Sequence, residues 1–97
     1  MKIDMSKVVV GFDKKPIMQE DKKLTFGNVI ATTLATPLEE DKGLVPTKVL
    51  HRMKLAQQAY EGGEVELEAA DAAEIQKRLA QTHILVVAGQ VIEALNG

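Results

Sequence analysis

The chain has 97 residues with a net charge of −2, and it contains no cysteine, no tryptophan and only three aromatic residues. This length suits one domain, residues 1–97, whose core is built from aliphatic side chains. The absence of cysteine excludes disulfides, zinc–thiolate sites and iron–sulfur clusters, and the slightly acidic balance gives no general attraction to nucleic acid or anionic membranes.

The N-terminal residues lack the long apolar segment of a secretory signal, and the longest apolar run, residues 84–88, is far too short to cross a bilayer. We therefore expect a cytoplasmic protein without a membrane partner. The charge is unevenly distributed: residues 1–60 carry ten basic and seven acidic side chains, whereas residues 61–97 carry two basic and seven acidic ones. Either two solvated faces of opposite sign or a surface that orients a partner would produce this asymmetry.

A β-hairpin is predicted at the front of the chain. Residues 7–12 are rich in β-branched side chains, and they are followed by the turn residues Asp13 and Pro16 and then by the apolar pair Ile17 and Met18. Because an isolated hairpin is only marginally stable in water, its apolar face should pack against helices.

Two helices are predicted in the middle of the chain. The first begins after Thr25 as N-cap and ends before Pro37, which disfavours helical geometry in the preceding residue. The second runs from Pro46 or Thr47 to Tyr60 and ends at Gly62 and Gly63. Helical spacing predicts that this second helix buries an apolar stripe: Val49, Leu50, Met53, Ala56 and Tyr60.

Two further helices follow a short extended segment at residues 64–67. The third is predicted over residues 69–81, with Ala72, Ile75 and Leu79 as its buried stripe. Residues 84–95 are predicted to form the fourth, although residues 83–88 alone would also suit a buried strand. The predicted fold class is therefore α+β and mainly α, with an N-terminal β-hairpin packed on three to four short helices.

The sequence gives little sign of catalysis. The acidic residues between 64 and 74 lack the spacing of a calcium-binding loop and are explained by a solvated edge and by helix capping. His51 and His83 are the only imidazoles, and no nucleophile elbow, phosphate-binding glycine loop or zinc-protease motif is present. We expect a protein that is not an enzyme and that holds no metal or cofactor.

Two binding surfaces remain as candidates. The fourth helix has an unusually wide apolar arc, which is either central to the core or partly covered by a protein partner or a second copy; its candidate contact residues are Leu85, Val86 and Ile92. The alternative is a nucleic-acid-binding face on the second helix, where no acidic residue occurs from 47 to 60. Its candidate residues are Lys48, His51, Arg52 and Lys54. Three cations are few for this purpose, so nucleic acid is the less favoured partner.

Three segments, residues 23–30, residues 65–71 leading into Ile75, and residues 89–95, are similar to segments of small, uncharacterised proteins encoded by tailed bacteriophages and prophages. The resemblance spans most of residues 12–95. It implies a bacterial cytoplasm during phage production and an accessory role near virion or tail assembly. Combined with the lack of a reaction motif, it leads us to expect a non-enzymatic protein-interaction module.

Overall fold

A computed structural model describes residues 1–38, 41–82 and 85–96 of the chain. These residues form four helices and four short strands. In chain order the elements are β1 (Lys2–Asp4), β2 (Met18–Gln19), β3 (Lys22–Lys23), α1 (Phe26–Ala35), α2 (Pro46–Glu61), β4 (Glu64–Glu66), α3 (Ala69–Thr82) and α4 (Leu85–Leu95). The predicted fold class, α+β and mainly α, is confirmed.

Strands β1 and β4 pair in antiparallel fashion, with Ile3 opposite Val65. The ladder continues beyond the strands, because the Met5 amide donates to the Gly63 carbonyl at 2.7 Å and the Leu67 amide donates to the Met1 carbonyl at 2.6 Å. Ile3, Met5 and Leu67 are buried. This small sheet therefore closes one end of the core. It brings Ile3 and Met5 of the N-terminus together with Leu67, which lies just after β4.

The predicted hairpin is present as an antiparallel return with few ladder contacts. Val10 bridges Pro16, and the Ile17 amide donates to the Val9 carbonyl at 2.9 Å. The chain then turns back a second time, so that the Val9 amide donates to the Leu24 carbonyl at 2.8 Å. The regular strands of this region lie elsewhere: β2 and β3 pair around a turn in which Glu20 has a φ of 57°.

Helix α1 begins and ends where the sequence predicts. The Thr25 hydroxyl accepts from the Asn28 amide at 3.2 Å, and the helix stops at Thr36 before the proline. Its N-terminal end crosses α2 closely at Gly27, where an added Cβ would lie 2.0 Å from the Ala59 carbonyl oxygen. Only glycine permits so short an approach between the two backbones.

The C-terminal half of the chain completes the core. Helix α3 buries Ala72, Ile75 and Leu79 as predicted, and α4 is helical from Leu85 to Leu95 rather than extended. The α4 side chains that reach the core are Val87, Ala88, Val91 and Leu95. His83 and Ile84, the first residues of the ambiguous segment, lie outside the described residues. No helix of the described chain is both long and apolar enough for a membrane span.

The C-terminal helix also fixes the front of the chain. The Val10 amide donates to Gln90 Oε1 at 3.0 Å, and Gln90 Nε2 donates to the carbonyls of Val10 and Val86. One side-chain amide thus satisfies both backbone groups of Val10, as a neighbouring strand would. The N-terminal β-structure was predicted to pack against helices, and these hydrogen bonds between Gln90 and Val10, which we call the Gln90 clamp, are part of that packing.

Candidate protein-interaction surface

Helix α2 exposes the stripe that periodicity assigns to the core, so the predicted buried face of this helix is wrong. Leu50 is 58% exposed, Met53 66% and Tyr60 72%. Val49 is 45% exposed, and only Ala56 of the predicted set is half-buried. We call these residues, with Val45 at the helix N-cap, the α2 stripe: Val45, Val49, Leu50, Met53, Ala56 and Tyr60.

The reason for this orientation is a set of partly buried ion pairs made by Arg52, which borders the stripe next to Ala56. Arg52 turns inward and is only 18% exposed. It donates from Nη1 to Asp41 Oδ1 at 2.7 Å and from Nη2 to Glu74 Oε1 at 3.0 Å. Because Arg52 and Leu55 are half-buried and Ala59 is fully buried, the apolar stripe faces solvent. Periodicity alone predicts the reverse, because it counts an arginine as a surface residue.

Arg78 of α3 is the centre of this cluster and is fully buried. It donates two hydrogen bonds to the Asp41 carboxylate, from Nη1 to Oδ1 at 2.9 Å and from Nη2 to Oδ2 at 3.0 Å. Its remaining donors reach the Thr36 carbonyl at 2.6 Å and the Thr33 carbonyl at 3.4 Å. These four bonds give each nitrogen of the buried guanidinium an acceptor, which matters because an unmet buried donor would cost free energy.

Asp41 also accepts from the Leu38 amide at 2.8 Å. The hydrogen bonds from Arg78, then those from Arg52, hold the pKa of Asp41 far below its usual range. The carboxylate is therefore ionised at every physiological pH. It joins the segment after α1 to helices α2 and α3, so we define the Asp41 cluster as Asp41, Arg52, Glu74 and Arg78.

A groove of about 470 Å³ runs beside the α2 stripe. One wall is the C-terminal end of α1 and the residues after it, from Leu34 to Pro37; the other is the α2 side formed by Val49, Met53 and Ala56. Asp41 and Arg52 lie at its base, where they neutralise each other. The groove lining is therefore mainly apolar, and the Asp41 carboxylate and the Arg52 guanidinium within it are paired with each other.

The structure does not assemble the predicted nucleic-acid face. Arg52 belongs to the Asp41 cluster, and His51 Nε2 lies 2.9 Å from Asp71 Oδ1. Lys48 and Lys54 are exposed, but they project about 120° apart around the helix axis. Two divergent lysines on either side of neutralised neighbours do not form a stripe that follows a phosphate backbone.

The three predicted partner-binding residues of α4 differ in exposure. Leu85 is 84% exposed, whereas Val86 and Ile92 are half-buried and pack against the core cluster. Most of the wide apolar arc of α4 is thus used inside the domain, which agrees with a central helix. Leu85 alone is too small an apolar area to constitute a docking surface.

The described residues include few side-chain arrangements of the kind that catalytic sites use. The contact between His51 and Asp71 lies on the surface, where the His51 side chain is 58% exposed. Within residues 1–38, 41–82 and 85–96 no group of three or more His, Asp or Glu side chains is placed to hold a metal ion. His83, the other predicted imidazole, is outside the described residues.

Comparison of the chain with protein-family models, with curated proteins and with solved structures found no match. The similarity to phage and prophage proteins accordingly stays a prediction from the sequence. The candidate site rests on the geometry of the α2 stripe and the adjoining groove.

Proposed function

We propose that this chain is a non-enzymatic protein-interaction module whose binding surface is the α2 stripe with its adjoining groove. The observation that carries the proposal is the exposure of three large side chains on one helix: Leu50, Met53 and Tyr60. Single exposed aliphatic residues are ordinary on protein surfaces, whereas a contiguous apolar patch marks a contact site.

The composition of the stripe supports this function. Exposed Tyr and Met are typical anchors of protein interfaces, and the stripe includes both. The rigid base beneath it also favours binding, because Arg52 and Asp41 fix α2 and so lower the ordering cost of association. A role as a phage assembly accessory is the biological setting that the sequence resemblance implies for such a module.

The proposal is tested by photocrosslinking in the host cell. A benzophenone amino acid replaces Met53, and a matched chain carries it at Ala73, an exposed position of α3. We expect a defined protein adduct from position 53 that is absent from position 73 and disappears when Leu50→Lys is added. Because Leu50 is 58% exposed, that substitution should change the free energy of unfolding by less than about 0.5 kcal/mol.

An adduct pattern that is the same from both positions would remove the assignment of the surface to α2. The same conclusion would follow if the adduct from position 53 persisted in the Leu50→Lys chain. Urea unfolding of each variant, followed by circular dichroism, separates loss of binding from loss of fold.

A further inference from the structure

The sheet formed by β1 and β4 has a free edge along β4. The Met5 amide donates to the Gly63 carbonyl, so Gly63 and, two positions on, Val65 turn their backbone groups towards β1. Backbone groups alternate between the two edges of an antiparallel strand, so the amides and carbonyls of Glu64 and Glu66 point away from β1. Within the described part of the chain, no hydrogen bond reaches these outward groups, which we call the β4 edge.

A cleft of about 370 Å³ runs along the β4 edge. It is lined by the C-terminal end of α2 and by all three residues of β4: Gln58, Glu61, Gly62, Glu64, Val65 and Glu66. Successive residues of a strand point to opposite faces of its sheet, so a cleft that touches all three lies beside the strand and not over one face. An extended segment in this cleft would meet the outward amides and carbonyls of β4.

The described residues that line the cleft include three carboxylates and no cation: Glu61, Glu64 and Glu66. Two cations approach from β1, where Lys2 Nζ lies 3.6 Å from Glu64 and the Met1 ammonium lies 3.3 Å from Glu66. The side chains of Glu64 and Glu66 nevertheless stay 64% and 65% exposed. Exposed ion pairs are weak, so both carboxylates remain able to bind a cation from a ligand.

Two copies of β4 do not complement each other. An antiparallel pair centred on Val65 would place Glu64 of each copy beside Glu66 of the other, and like charges in that position repel. The positions outside the described residues, 39, 40, 83, 84 and 97, contain no lysine or arginine that would balance these carboxylates. The charge at this edge therefore favours a basic segment over another acidic strand.

We infer that the β4 edge binds an extended segment of a partner protein that carries basic side chains at alternate positions. The segment adds a third strand to the sheet, and its backbone pairs with Glu64 and Glu66. Its basic side chains lie beside the same two carboxylates, which share one face because they are two positions apart. This site goes beyond the proposed function, since no residue of the α2 stripe lines the cleft.

The test uses a short fluorescein-labelled peptide in which lysine and valine alternate, and fluorescence anisotropy measures its binding to the full chain. A peptide with glutamate in place of lysine should bind about ten-fold more weakly or worse. A third peptide keeps the lysines but has N-methylated backbone amides. It cannot donate to the β4 carbonyls, so it should lose affinity to a similar extent.

Hydrogen exchange followed by NMR locates the bound peptide. In the free chain the amides of Glu64 and Glu66 should exchange faster than the amide of Val65, which faces β1. The lysine–valine peptide should slow exchange at Glu64 and Glu66 by about ten-fold or more, because both amides gain an acceptor.

Two single substitutions test the role of charge. Glu64→Gln should weaken binding about two- to five-fold, as expected for one exposed ion pair. The matched control is Asp13→Asn, which removes an exposed carboxylate outside the cleft and should leave binding unchanged.

The inference is overturned if the lysine–valine peptide does not bind, or if the glutamate or N-methylated peptide binds equally well. Binding that leaves exchange at Glu64 and Glu66 unchanged would also overturn it. Light scattering that shows a dimer, with slow exchange at these two amides without peptide, would assign the edge to a second copy instead. Crosslinking from position 53 tests the α2 stripe separately, so neither result decides the other.

Discussion

Replacing Asp41 by asparagine tests the ion-pair cluster that orients α2. The substitution keeps the size of the side chain but removes the negative charge that Arg78 and Arg52 share. Arg78 is fully buried, so its charge would have no neutralising partner within 3 Å and would lie 3.9 Å from Glu74. Removing one member of a buried ion pair costs about 3 to 5 kcal/mol.

We expect the lower end of this range, about 3 kcal/mol, because Arg78 keeps its bonds to the carbonyls of Thr33 and Thr36. For a chain of this length that loss should lower the melting temperature by roughly 12 to 24 °C. Urea unfolding monitored by circular dichroism measures the free energy directly. Asp71→Asn is the matched control, since its partner His51 is exposed, and it should cost less than about 1 kcal/mol.

The pH dependence of stability, compared between the native chain and Asp41→Asn, gives a second measurement. An aspartate outside such a cluster titrates near 3.8, and the arginines hold the pKa of Asp41 in the folded chain well below that value. The stabilisation by the carboxylate is therefore complete above about pH 5 and is lost as the pH falls below 4 towards the lowered pKa. The stability difference between the native chain and Asp41→Asn should be constant from pH 5 to 7 and should shrink in acid. A difference below about 1 kcal/mol at pH 7, or one that does not shrink in acid, would refute the reasoning.

Three further substitutions test the packing. Gly27→Ala should destabilise the chain by about 1 to 3 kcal/mol in urea unfolding, because its Cβ would meet the Ala59 carbonyl oxygen at 2.0 Å. Gly89→Ala, in α4 with no atom within 4 Å of the added Cβ, should instead stabilise by up to about 1 kcal/mol; a loss there would contradict the helical assignment. Gln90→Leu should cost about 1 to 3 kcal/mol and speed hydrogen exchange at the Val10 amide, which loses its acceptor. Unchanged exchange at Val10 would show that the clamp is not needed.

The helices of this fold could be predicted because their signals are local. Thr25 caps α1 with a bond to a residue three positions later, and Pro37 and Gly62 mark helix ends through their own backbone geometry. Such features depend on neighbouring residues alone, and periodicity likewise identifies the buried stripe of α3. The bounds of all four helices agree with the prediction to within about two residues over the described part of the chain.

The face of α2 could not be predicted because it depends on partners distant in sequence. Arg52 is half-buried because Asp41 and Glu74 lie beside it, eleven and twenty-two positions away. Without those acceptors an arginine belongs on the surface, which is where periodicity places it. One signal was the neighbourhood of Asp41 itself, where an acidic residue precedes a helix that has no acidic side chain from residue 47 to residue 60.

The N-terminal strands escaped prediction for a related reason. Strand β1 has three residues and gains its order from β4, whose partner residues come 60 to 64 positions later. The β-branched run at residues 7–12, which is the stronger local signal, forms only single bridges. Whether a segment forms a strand here depends on whether its backbone N–H and C=O groups can pair with another segment. The β-preference of its side chains alone does not decide it.

The pairing of β1 with β4 also has a consequence for the order of folding. Closing a loop of about sixty residues costs roughly 3 to 4 kcal/mol in chain entropy if nothing else is formed. The helix pair α1 and α2 removes most of that cost, because the Gly27 amide binds the Met5 carbonyl at 2.8 Å while the Met5 amide binds the Gly63 carbonyl at 2.7 Å. We therefore expect β1 to pair with β4 after α1 has packed against α2, with the two helices holding the strand segments side by side.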